Sequence, residues 1–203
     1  MAPAHRDRDV VIPSADAIRP GGLDEASLYW LASIAARVSG ACALEIGTAR
    51  GVSTYAIAAN MPNAQVYTVD LPAGAVTVHP PGRNDHAVAL PAGERYWAGT
   101  AVEPRIVQIL GDSATVDLGL LAGKCELIFI DGAHSAEYVR SDTERAFELV
   151  ATRAAILWDD YWQFAPDVVA YLDRRQDLDL FRLPSSRLVV WMSPQLKAEL
   201  LAD

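Results

Sequence analysis

Short apolar runs alternate with amphipathic stretches along most of this chain. From Leu23 on, Leu28, Leu31, Ile34, Ala35 and Val38 recur at helical spacing, with Asp24 placed to cap the helix and Gly40 to stop it. Residues 41–47 (ACALEIG) read as a buried strand ending in glycine, and residues 51–61 as a helix stopped by Pro62. Residues 65–70 (QVYTVD) and 105–112 (RIVQILGD) are strands that end in an acid. Residues 113–123 are expected to form a helix capped by Ser113. ELIFID (126–131) is the most strand-like run, followed by a long amphipathic helix over 135–151 and a strand over 154–160 (AAILWDD). Pro166 heads a helix to about Asp173, since proline is tolerated in a first turn. Residues 179–183 and 187–192 flank Pro184-Ser185-Ser186 as an antiparallel pair.

Strand and helix alternate five times, which predicts an α/β fold: a doubly wound, mostly parallel sheet with helices on both faces. Ligands of such sheets bind outside the carboxyl ends of the strands. The acids that end the strands, Glu45, Asp70, Asp112, Asp131, Asp159 and Asp160, therefore share one edge. Residues 1–22 are rich in Pro, Asp and Arg and read as an N-terminal arm, and residues 23–203 as a single domain. One segment, about 72–103, has no periodicity and holds Pro72, Pro80, Pro81, Gly82, Pro91 and Gly93. Loops this long are usually functional or disordered; its place at the ligand edge favours a lid, with a disordered insertion as the alternative.

Composition narrows the partners. At 203 residues and 51% hydrophobic, the chain has enough apolar content for one real core. No apolar run is long enough to span a membrane, and the N-terminus lacks an apolar signal region, so a cytoplasmic enzyme is expected. The net charge of −9 argues against a nucleic-acid partner and leaves a small-molecule substrate. Two cysteines, Cys42 and Cys125, form neither a metal-type pair nor a disulfide scaffold. The first helix and the 179–192 hairpin are candidate homodimer surfaces.

The strand-to-helix turn LEIGTARGVS (44–53) carries Gly47 and Gly51, where the backbone can approach a ligand closely. The dinucleotide fingerprint GxGxxG is absent, and Glu45 beside the turn suits a cationic ligand better than a pyrophosphate. S-adenosylmethionine carries an ammonium and a sulfonium and no phosphate. Asp70 is placed to accept both ribose hydroxyls, with Asp112 and Ser113 at the adenine.

LEIGTARGVS, YTVD, LGDS, FIDGAH and ILWDDY, in this order and spacing, resemble a class I S-adenosylmethionine-dependent methyltransferase, over about residues 24–192. More narrowly they resemble methyltransferase family 24, related to the catechol-type O-methyltransferases. The resemblance implies a Rossmann-like, seven-stranded sheet with its last strand antiparallel. It implies that Glu45 and Gly47 line the methionine end of the cofactor and that Ser53 takes its carboxylate. Asp70 would hold the ribose, and Asp112 with Ser113 would border the adenine. Thr48, Gly51, Gly111 and Asp131 fall in the same motifs, Leu71 directly follows YTVD, and all five join the cofactor-binding set. The central glycine of the common methyltransferase loop is replaced by Ala49, as in catechol-type members.

The resemblance also implies that Asp131, Asp159 and Asp160 hold Mg²⁺ or another divalent cation. Such a hard cation takes oxygen ligands and keeps waters that a substrate displaces. The bland alternative is that Asp159 and Asp160 only cap a turn. His134 stands where the catechol-type pattern has a lysine base, so the base is open; histidine titrates near neutrality and suits the task. The expected reaction is direct displacement of the sulfonium methyl by a hydroxyl, with Asp131 and His134 as the catalytic pair. Tyr161, Trp162 and Phe164 are candidates to wall the acceptor pocket, and Trp30, Tyr96 and Trp97 to close it. Arg83 and Arg95 are candidates to meet an anionic substrate; His5, His79 and His86 are weaker base candidates. Three other readings stay open: a metal-independent O- or N-methyltransferase using His134, a nicotinamide-dependent oxidoreductase, and a non-catalytic cofactor-binding module.

Overall fold

The structure is a computed structural model that describes residues 10–17, 22–82, 85 and 94–202. Seven strands form one sheet: β1 (Cys42–Ile46), β2 (Gln65–Asp70), β3 (Ile106–Leu110), β4 (Cys125–Ile130), β5 (Val150–Trp158), β6 (Leu180–Arg182) and β7 (Val189–Met192). Their spatial order is β3-β2-β1-β4-β5-β7-β6. Strands β1 to β5 pair in parallel, and β7 runs antiparallel between β5 and β6. The expected doubly wound sheet with an antiparallel last strand is therefore present. The order of strand placement reverses between β1 and β4, which opens the ligand crevice at their carboxyl ends.

Alternation along the central strands builds two cores. Leu127 and Phe129 of β4 face one side, where Leu28, Ile57 and Leu196 cover them from α1 (Glu25–Val38), α2 (Val52–Asn60) and the C-terminal helix. Ile128 and Ile130 face the other side, against Val139 of α3 (Ala136–Leu149) and Val168 of α4 (Pro166–Arg174). Burying each such side chain stabilises the fold by roughly 1.5–3 kcal/mol. The strands are apolar on both faces because both faces are covered.

Several local expectations are revised. Residues 113–123 form turns and a short 3-10 helix over Gly119–Leu121, and Ser113 caps no helix. Asp112 and Asp117 side chains capture the N–H groups of Ala114 and Gly119, which closes local turns in place of helical bonds. Asp24 does cap α1, accepting from the Ser27 N–H at 2.7 Å, but the left-handed stop is Ser39, at φ 48°. Gly40 serves a different need: a Cβ there would lie 2.5 Å from the Glu126 side chain, which accepts the Ala41 and Cys42 N–H groups. Strand β5 starts four residues earlier than expected. A further helix, α5 (Pro194–Ala202), follows β7, with Ser193 Oγ accepting the Leu196 N–H. Its sequence, PQLKAELLA, is short and weakly patterned. Among the described residues no helix is long and apolar enough to cross a membrane. His5, Arg83, His86, Pro91 and Gly93 lie outside the described residues, as do parts of the expected arm and lid.

Candidate active site

The carboxyl ends of β1, β2 and β3 form the first half of the site. Gly47 has φ +100°, and a Cβ there would lie 1.9 Å from the Asp131 carbonyl oxygen. The turn after β1 thus passes directly against the backbone that ends β4, and only glycine permits it. Gly51, the residue before α2, has φ +78°, and the Trp97 ring fills the space of its absent side chain. Ala49 adopts φ 42°, a left-handed conformation that costs a non-glycine residue about 1–2 kcal/mol.

Glu45 stands one residue before the end of β1. It is fully buried, and its Oε2 accepts hydroxyl hydrogen bonds from Thr68 at 2.6 Å and from Thr54. Ser53 turns its side chain to the same carboxylate, and Thr48 bonds to Thr68. Burial raises Glu45 to about 7, against these hydroxyl bonds. Asp70 ends β2 and is paired with Arg95, Nη2 to Oδ2 at 2.9 Å. Burial raises its pKa while Arg95 and the Leu71 N–H oppose the rise. Arg95 is itself buried, with Nε and Nη1 lacking a partner among the described residues. Gly111 donates its N–H to the Asp70 carbonyl, and Asp112 accepts from Val78 N–H, Tyr138 Oη and Ala114 N–H.

The ends of β4 and β5 form the second half. Asp131, His134 and Asp160 each offer one ligand atom, and these atoms lie within 4.8 Å of one another. His134 sits between two carboxylates: Nδ1 is 2.5 Å from Asp85 Oδ1, and Nε2 is 2.5 Å from Asp160 Oδ2. Burial works to lower the imidazole's pKa, but Asp160 and Asp85 outweigh it and push it up to about 10. Asp131 is pushed well above the usual carboxylate range by burial and by Asp159 and Asp160. Asp160 is held low, because its bonds to His134 and the charge of Arg187 outweigh burial. It adopts φ 61°, a strained conformation for a non-glycine residue. Asp159 lies beside this group but turns Oδ2 to Arg187 at 2.8 Å, and its Oδ1 has no partner among the described residues. Arg187 also reaches Asp160 at 3.3 Å.

The sequence profile of the methyltransferase domain family matches residues 44–161, more than half of the chain. The chain belongs to that family. The resemblance carried by the five motifs holds, and the protein is a class I methyltransferase. No curated protein matches it at a significant level. Solved structures share its fold at low identity. The O-methyltransferase TomG from Streptomyces achromogenes, involved in tomaymycin synthesis and solved with SAM, is 17% identical. That match covers 85% of this chain and 82% of TomG at a TM-score of 0.58. Cofactor-bound Rv0187 from MTB is 18% identical over 87% of this chain and 84% of its own, with a TM-score of 0.60. The SAH-bound methyltransferase PaMTH1 from Podospora anserina is 19% identical over 82% and 76%, with a TM-score of 0.57.

The aromatic residues of this methyltransferase divide. Trp162 is 38% exposed, lies 5.0 Å under the Arg187 guanidinium, and hydrogen-bonds Asp160. Tyr161 is partly exposed beside it but donates its hydroxyl to Asp173. Trp97 is buried in the core against Gly51, so it packs the turn instead of closing a pocket. Trp30 donates to the Pro184 carbonyl, and Tyr96 pairs with Tyr55 and Ser14. Four site residues escaped the sequence reading in these roles: Asp85, Arg95, Arg187 and Asp142. Asp142 lies fully buried beneath Gly132, raised to about 7 by burial while the facing Ser113 hydroxyl works the other way. The signal for it was a lone acid on the buried face of a helix.

Proposed function

We propose that this methyltransferase transfers the methyl group of S-adenosylmethionine to a hydroxyl of a small molecule at the ends of β4 and β5. The observation that carries the reading is the meeting of Asp131, His134 and Asp160 directly beside the Gly47 turn. The cofactor complexes of TomG and PaMTH1 support the donor. The residues fit it as well: Asp70 offers acceptor oxygens for ribose hydroxyls, and the unpartnered Arg95 nitrogens beside it are suited to an anionic or hydroxyl oxygen. Bound there, the donor supplies a methyl group already activated by its sulfonium.

The second half fits a hard divalent cation. Asp131 and Asp160 would hold it, with the unpartnered Oδ1 of Asp159. Such an ion, when bound, supplies positive charge that acidifies an acceptor hydroxyl. His134 is the base: it takes the acceptor's proton once its own proton has left. The buried acids around it then stabilise the imidazolium that results. Orientation of nucleophile and methyl in line is the rest of the protein's task, worth up to about 7–11 kcal/mol.

A second reading has its own observation. Arg187 already bridges Asp159 and Asp160, so a built-in cation offsets part of the charge that a metal would neutralise. On that reading transfer needs no metal. Dialysis against EDTA, followed by measurement of S-adenosylhomocysteine release with and without Mg²⁺, separates the two. Loss with recovery on Mg²⁺ supports the metal reading, and unchanged release supports the Arg187 reading. No release of S-adenosylhomocysteine with any hydroxyl acceptor counts against both.

A further inference from the structure

Asp85 stands between β2 and β3, in a run with no motif and 49 residues from His134, yet it holds that residue at several points. Its Oδ1 lies 2.5 Å from His134 Nδ1, and its two oxygens accept the His134 backbone N–H at 3.3 and 3.1 Å. The same carboxylate accepts the Gly82 N–H, which fixes its own position. The side chains are 11% and 29% exposed, so water competes weakly for the contact. The other ring nitrogen, Nε2, faces Asp160 in the acid cluster.

An imidazole has two chemically distinct nitrogens, and the partner of one decides which proton the other can exchange. A carboxylate on Nδ1 keeps a proton there, fixes the ring plane and stabilises the imidazolium formed on proton transfer. We propose that Asp85 is a positioning residue for methyl transfer, holding His134 so that Nε2 is the atom that receives the acceptor's proton. This rests on the reading of His134 as the base. In the step, the acceptor oxygen forms its bond to the methyl carbon as the sulfonium–methyl bond breaks. The bonding pair returns to sulfur as a neutral thioether, and the hydroxyl proton moves to Nε2. Asp85 accepts from Nδ1–H throughout and undergoes no covalent change.

The test uses the full chain in two measurements. The first is the proton and nitrogen NMR spectrum of the histidine rings. Wild type should show a Nδ1-bound proton far downfield of the amides, absent in His134→Gln and absent in Asp85→Asn. The second is S-adenosylhomocysteine release with catechol as the probe acceptor. Asp85→Asn should lower kcat by about 10- to 100-fold, as loss of an orienting partner typically does, with KM for the donor unchanged. Asp85→Glu should recover part of that loss. In a His134→Ala background, Asp85→Asn should cost nothing further. An unmoved Nδ1 proton in Asp85→Asn overturns the proposal, as does an additive loss in the double variant. Wild-type turnover by His134→Ala removes the base reading itself and the proposal with it. The ring-proton measurement decides even where catechol is not turned over, and Asp85→Ala serves it if Asp85→Asn fails to fold.

Discussion

The two halves of the site carry acids at equivalent strand ends and manage them in different ways. After β1 and β2, Glu45 is buried with its Oε2 held by neutral hydroxyls, while Asp70 has a single guanidinium. After β4 and β5, Asp159 and Asp160 share Arg187, and His134 bridges Asp160 to Asp85. The first half is a shaped cradle in which most polar groups are spent on holding the turn. The second is an electrostatic balance in which charges are packed close and can be redistributed. Strand-end acids therefore do not share a role because they share an edge; the groups that face them set it. On the proposed reading the chemistry belongs to the second half, where Asp131, His134 and Asp160 meet.

The sharpest way to break this contrast is Asp131→Ala. It removes a group from the reaction half alone and should lower methyl transfer by at least about 100-fold, the scale of lost acid–base machinery, while the fold survives. Circular dichroism and S-adenosylhomocysteine release measured together check both parts.

Next in size is Arg187→Met. It leaves buried Asp159 without its counter-ion, a change that costs about 3–5 kcal/mol in comparable sites. In the folded protein Asp159 is raised by burial and by Asp160, against the pull of Arg187, above the usual value of an unfolded aspartate. A raised acid contributes stability at low pH that is lost as pH rises through its folded value. The loss in Arg187→Met should therefore be larger at pH 8.5 than at pH 5.5 when melting temperatures are compared.

The smallest expected effect belongs to the cradle. Glu45 is raised to about 7 by burial from a usual value of 4.5, so its buried charge costs stability above pH 7. Glu45→Gln keeps an acceptor for Thr54 and Thr68 without the charge. It should leave stability unchanged near pH 4.5 and add about 3 kcal/mol at pH 8, from the size of the shift. A melting curve that is flat against pH in both proteins would place Glu45 in solvent contact and erase the contrast.

The backbone plan was legible because it is local. Apolar runs ending in glycine or an acid located β1 to β5, and the DG and DD pairs located the ends of β4 and β5. Glu45 was legible as an acid at the end of β1, but the Thr54 and Thr68 hydroxyls that hold its Oε2 were not, because nothing in its motif names them. The charges that complete the site were not legible. Arg95 pairs with Asp70 from 25 residues away, Arg187 with Asp159 from 28, and Asp85 with His134 from 49. Each comes from a stretch without periodicity or from a hairpin, and such pairings exist only once the sheet has brought the loops together. The false helix over 113–123 has the same origin in reverse: acids that capture nearby N–H groups outcompete a weak helical pattern.

On this reading the cradle holds the methyl donor against the charged half. Isothermal titration of S-adenosylhomocysteine into the wild-type chain and into Asp70→Ala tests it directly. Saturable one-to-one binding to the wild type, weakened at least about tenfold in Asp70→Ala by loss of the ribose partner, is the predicted result. Absence of binding by the folded wild type, or equal affinity in both proteins, would contradict it.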